Sequence, residues 1–436
     1  MVLVDPRGVT WSGSDPQALA QLEQALMAMA AFRGDPFAAA DAALARDPTL
    51  AVAHLLKAAM LAFAMQPDFD ADAAASLDAA AALPLNDRER LHLDGLRRWM
   101  AGDLDGGLDR LDQALRAAPR DLVALFFAHQ GDFFTAGTAA LLARPQRSLA
   151  DWPADLPGHS AVTGMLAFGL EENGRFAEAE AAGRAAVAAA PDDGYALHAV
   201  AHVLEEQGRA EDGQRWYAEH AASWQEGSFF TVHNAWHLAL YHIEVEDPDG
   251  ALAVYDRFVR PGDGAIVLNL CDAAALLWRL MLAGADTGGR MPEVARRLVP
   301  HAADARHAFN DVHAMLAFAA TGEAEAADRL VATLGAAAGG SYRRAAMTRR
   351  GGLPIALAMR AFAEGRHGEA FDRLAAAEPD WPQMGGSHAQ RDLLPLTLIE
   401  AAIRDGRFAA ARSLLERRLA ARPHSRTVRR DLARCR

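Results

Sequence analysis

The sequence predicts an all-α chain, a right-handed superhelical solenoid of degenerate tetratricopeptide-type helical hairpins. Three observations carry this. Ala is the most frequent residue while Val and Ile are scarce, so helix formers far outnumber strand formers. Two turn glycines, Gly174 and Gly208, lie 34 residues apart, the period of a tetratricopeptide unit. The same punctuation recurs around them. Gly102, Gly174, Gly208, Gly365 and Gly406, each followed by Arg or Asp, close a first helix where a left-handed residue is needed. A small residue, Ala179, Ala370 or Ala411, follows five positions later, where the second helix must approach the first. Pro119, Pro191 or Pro423 then ends the second helix 17 residues beyond its glycine.

These signals predict one array over residues 1–436. Residues 1–120 form loosely patterned Ala-rich hairpins, 121–260 are repeats carrying a histidine-rich stripe, and 261–436 are C-terminal repeats with a capping helix. The segment from Ala265 to Arg290 reads as a long hairpin with an insert. The arginine-crowded stretch from Arg412 to Arg436 reads as a solvated capping helix with cations near its C-terminus. One hairpin cannot bury its apolar stripe alone, so neighbours stack and leave a concave inner face, where function is expected.

The formal charge of −13 argues against a phosphate-binding surface, because non-specific nucleic-acid affinity needs clustered positive charge. No nucleic-acid partner is expected. Cys271 and Cys435 fit neither a disulfide framework nor a zinc knuckle, which points to a reducing compartment. No basic leader and no apolar run of about 18 residues is visible, so no membrane partner is expected and a cytoplasmic location follows. A homodimer through the Ala-rich N-terminal helices or exposed end repeats fits the need to cap a solenoid.

Residues at i, i+4 and i+7 share one helix face. His198, His202 and Glu205 have that spacing, and the register set by Gly208 turns them away from the hairpin partner into the groove. The next first helix repeats the device with His233, His237 and Glu244, while His242 falls on the opposite face as a packing residue. Upstream, a helix from Asp121 to Phe134 brings His129, Gln130 and Asp132. Downstream, Asp311 and His313 start another first helix. Finally, GGSHAQRD at residues 385–392 is a glycine loop opening a helix, where backbone N–H groups, His388 and Arg391 can meet an anion, although Ser387 and Gln390 also fit a capping box.

Five blocks carry a resemblance to a known family: HAVAHVLEEQGR at 198–209, HNAWHLALYHIE at 233–244, LLWRL at 276–280, NDVHAM at 310–315 and the glycine loop at 385–392. They resemble the proteins named after tetratricopeptide repeat protein 38 and span most of the chain beyond residue 120. The resemblance implies a superhelical repeat fold and brings no particular activity.

Repeat solenoids usually hold extended peptides through Asn, Lys and Arg. Here the stripe is His, Trp and acid, which suits a compact pocket for a small molecule or short polar ligand, walled by Trp216, Trp224 and Trp236. The ligand-binding candidates are His129, His198, His202, Glu205, His233, Trp236, His237, Glu244, His313, His388, Gln390 and Arg391. A scaffold that binds a short peptide or protein without chemistry is the alternative. A second alternative is a His/carboxylate hydrolase or lyase, metal-dependent or using His202 with Glu205, His237, or Asp311 with His313 as general base. No nucleophile elbow, P-loop or dinucleotide fingerprint is present, and no cofactor is expected. A metal is not required by the pattern, since HExxH is absent; if one binds, His198, His202, His233 and His237 are its ligands.

Overall fold

The computed structural model describes residues 2–435. Among them, regular structure is helical apart from a hairpin of two short strands, Val2–Val4 and Thr10–Ser12, and one isolated bridge. The chain forms two compact units. One comprises the chain up to Val200 together with Ala221–Phe230, the other Ala201–His220 together with the chain from Thr231 onward, so the division falls inside the helix Gly194–Glu206. No helix among the described residues is long and apolar enough to cross a membrane.

In the first unit, successive helices pair as antiparallel hairpins: Pro16–Ala30 with Pro36–Arg46, Ala51–Phe63 with Asp70–Ala81, Asp87–Ala101 with Leu104–Ala117, Leu122–Phe134 with Thr138–Leu149, and His159–Glu171 with Phe176–Ala189. The segment Ala221–Phe230 belongs to this unit because it is pinned to the end of the first hairpin's leading helix. Gly34 N donates to Gly227 O at 2.7 Å, Ser228 Oγ to Phe32 O at 2.8 Å, and Arg33 to Ser223 O at 2.8 Å.

In the second unit the leading helices Thr231–Glu244, Val267–Leu282, Ala308–Thr321 and Leu353–Ala363 stack in order. The array then turns back on itself, and Leu393–Arg404 lies against Val267–Leu282. Trp278 Nε1 donates to Thr397 Oγ1 at 3.0 Å, and Arg279 donates to the carbonyl of Ala389. The open groove expected along these inner faces is therefore covered here by the unit's own chain, because the last hairpins curl inward far enough to bury their apolar stripes against the earlier ones.

The expected punctuation is present. All five signal glycines have positive φ, between 68° and 93°, a region where a side chain is strained. Ala179, Ala370 and Ala411 are fully buried between their helices, and Pro119, Pro191 and Pro423 each follow a helix end. Two expectations fail. Residues 265–290 hold no hairpin with an insert but a single helix, Val267–Leu282, followed by a short turn; that helix is buried on nearly every side, which hides the helical period in its sequence. The solvated C-terminal cap fails for two of its arginines: Arg417, Arg426 and Arg429 are exposed, but Arg418 and Arg422 are largely buried and paired with Asp392 and Glu206.

Candidate functional site

Two helices of the second unit and its share of a third build a buried cluster of imidazoles and acids. Gly194–Glu206 supplies His202 and Glu205, Thr231–Glu244 supplies His233, Trp236 and His237, and Val267–Leu282 supplies Asp272 and Arg279. The four-residue spacing of His233 and His237 puts both rings on one helix face, and their centroids are 4.9 Å apart. His202 meets His237 edge-on at 4.4 Å. The ring nitrogens of His202, His233 and His237 that face one another lie within 4.8 Å. Two carboxylates hold the rings from behind. His237 Nδ1 shares a hydrogen bond with Glu205 Oε2 at 2.7 Å, and His233 Nδ1 with Asp272 Oδ2 at 2.9 Å. Trp236 stacks on His233 at 5.4 Å, and the Arg279 guanidinium lies 5.3 Å from the centre of the Trp236 ring.

Burial dominates the electrostatics, since moving a charge out of water disfavours the charged form. It pushes the Glu205 carboxyl up to about 7, against the pull of Arg279 and Arg422. It drives His237 well below the ordinary imidazole value, and His233 and Arg279 add to the same effect, so His237 is neutral. Burial also pushes Asp392 upward, but Arg418 and Arg422 outweigh it and hold that carboxylate ionised. Beside the cluster opens a cavity of about 90 Å³ whose wall includes Glu205, Arg279, Asp392, Arg418, Arg422 and Arg430.

The remaining candidates lie in varied settings. His198 stands one turn before His202 on the same helix, in the first unit's share of it. Its ring is packed among Tyr195, Phe168 and Phe230, with centroids at 5.7, 5.6 and 5.0 Å. His129, also in the first unit, is buried, shares a 2.9 Å hydrogen bond with Tyr195 Oη, and is pushed down to about 3 by burial. Trp224 belongs to the first unit, while Trp216 packs on His220 with centroids 4.0 Å apart. Glu244 sits at the cavity and accepts from Arg426 N at 2.8 Å and Thr427 Oγ1 at 2.7 Å, which ties the last helix down. His313 hydrogen-bonds Phe309 O at 2.7 Å and falls to about 4 through burial; burial lifts the Asp311 carboxyl well above its usual range. In the glycine loop, Ser387 and Gln390 form the capping box, Arg391 bonds the carbonyl of Gly386, and the His388 side chain is exposed. Ser387 and Gln390 thus serve the loop's own turn. His242, expected in packing, is half-buried and bonded to Asp247 at 2.8 Å.

Sequence reasoning missed Asp272, Arg279, Asp392, Arg418 and Arg422. One signal was present for the first two. They sit seven residues apart on a helix whose only other strongly polar side chain is Asn269, so they share a face that an apolar partner cannot satisfy.

No family model matches the chain. Among solved structures, the chain is similar to a tetratricopeptide repeat protein from Parabacteroides merdae ATCC 43184, at 14% identity over 71% of this chain and 98% of that one, with a TM-score of 0.32. It is also similar to a monomeric mutant of IFIT1 with Gppp-AAAA, at 15% identity over 97% of this chain and 95% of that one, with a TM-score of 0.34.

Proposed function

We propose that the second unit binds a small polar ligand in the cavity beside the histidine cluster. The observation that carries this reading is the cavity itself, about 90 Å³, whose wall sets guanidinium and carboxyl groups among apolar side chains such as Leu240, Ile243 and Leu396, while the neighbouring inner faces are covered by the unit's own chain. A water takes roughly 30 Å³ in the liquid, so the space suits a small ion or a head group of a few heavy atoms. An extended peptide needs a trough instead. Arg279, Arg422 and Arg430 favour an anionic group, and Glu205 and Asp392 favour a donor, so a ligand carrying both is matched best.

A second reading, a protein-interaction scaffold, is favoured by the stacked hairpins of both units, since helical repeats present extended surfaces to partners. The resemblance to the tetratricopeptide repeat protein 38 family suits either reading. The two buried, unbridged cysteines support a reducing compartment such as the cytoplasm.

The deciding experiment is native mass spectrometry of the full chain, compared with its denatured mass. A bound ligand gives a small excess mass that denaturation releases and that Arg430→Ala, at the cavity wall, diminishes. Equal masses, together with capture of extended peptides from an array, would overturn the pocket in favour of the scaffold.

A further inference from the structure

We propose that His202, His233 and His237 of the second unit form a transition-metal site, with Glu205 and Asp272 orienting two of the three ligands. Geometry carries the proposal. A tetrahedral ion with metal–nitrogen bonds of roughly 2.0–2.1 Å holds its ligand nitrogens about 3.4 Å apart. The three imidazoles offer nitrogens within 4.8 Å of one another, so small ring rotations close the set.

The surroundings match as well. A ligating His is usually held at its other nitrogen by a carboxylate, which fixes its tautomer and raises its basicity. Glu205 on His237 Nδ1 and Asp272 on His233 Nδ1 are two instances, on two different helices, and each leaves Nε2 as the ligand atom. Against Arg279, the one nearby fixed cation of the three helices, the two carboxyl groups supply the negative charge that a divalent ion requires. Nitrogen donors without thiolate select zinc, copper, nickel or cobalt over magnesium or calcium. Glu205 belongs both to this cluster and to the wall of the neighbouring cavity.

The test uses the full chain, purified without a metal-affinity column, stripped with chelator and titrated with cobalt(II) and zinc(II). One ion per chain is expected, with the visible bands of tetrahedral cobalt displaced by zinc. His233→Gln and His237→Gln are each expected to abolish those bands, and Asp272→Asn to weaken zinc binding by roughly 10–100-fold. His242→Ala, at the half-buried His beside Asp247, is expected to change nothing. X-ray absorption at the zinc edge of the unmodified protein counts imidazole ligands even if the variants fail to fold. Fewer than three imidazoles, no uptake by the folded protein, or undiminished uptake by a folded His233→Gln/His237→Gln double variant would each overturn the site. The result is independent of whether the cavity holds an organic ligand, which native mass spectrometry of the stripped protein reads separately.

Discussion

Glu205 carries the largest consequence at the scale of a single residue. Its carboxyl stands at about 7 in the folded chain against an ordinary value of 4.5, chiefly because it is buried. Between those two values the folded state holds more proton than the unfolded state, so stability falls as pH rises through the window. Below about 4.5 both states are protonated and the penalty vanishes; above 7 it is complete, on the order of 3 kcal/mol. Glu205→Gln removes the titration and keeps a polar group beside His237. The variant should therefore gain on the parent chain steadily from about pH 5 to pH 7, as read from thermal melts followed by circular dichroism; a difference that does not change with pH would show that Glu205 does not titrate there. The face bearing His202 and Glu205 was legible because spacing along one helix is a local property. Its partners Asp272 and Arg279 come from a helix more than sixty residues further on, and no local spacing encodes which helices become neighbours.

At the scale of the element, the hairpin signals were legible because each solves a local problem. Gly406 ends its helix at φ +76°, and a Cβ added there meets nothing within 4 Å. Gly406→Ala should then cost only the conformational strain, about 1 kcal/mol. Gly213 is a different case. It lies inside the helix Ala210–Glu219, and a Cβ there would collide with the ring of Tyr241, which is itself held by a 2.6 Å hydrogen bond to Ala201 O. Gly213→Ala should cost several times more than Gly406→Ala, roughly 3 kcal/mol, because the ring sits in a packed core with nowhere to move. Urea titration of both variants checks the order; equal losses would mean that the helix pair is loosely packed. Elements whose identity depends on distant partners were harder to read. Val267–Leu282 is apolar on nearly every face because other helices surround it, and its period vanished with its exposed side. The N-terminal strands flank an Asp-Pro-Arg-Gly turn, a local signal that composition alone averages away.

Across the whole molecule, acids outnumber bases by 57 to 44, yet the arginines of the last two helices find acids far back in the sequence. Arg422 pairs with Glu206 at 2.8 Å and lies 3.6 Å from Asp392, Arg426 pairs with Glu211, and Arg434 reaches Glu400 at 2.8 Å. Two of these partners, Glu206 and Glu211, lie more than two hundred residues upstream, where no local pattern points to them, which is why the sequence suggested a cap. Within the second unit these pairs close the array on itself. The weight should fall on the buried pair and not on the exposed ones, since an exposed pair contributes little in water while a buried charge left without its partner is costly. Arg422→Met strips Glu206 of its partner and leaves Asp392 with fewer, and is expected to lose on the order of 3 kcal/mol. Arg417→Met, on an exposed residue of the same helix, should lose almost nothing. Because the Arg422 pairs are shielded from solvent, the loss should persist in high salt, where surface pairs are screened. Thermal melts of both variants at low and high salt make the comparison. Equal small losses would mean that apolar packing of the last helices, and not the arginine pairs, closes the unit.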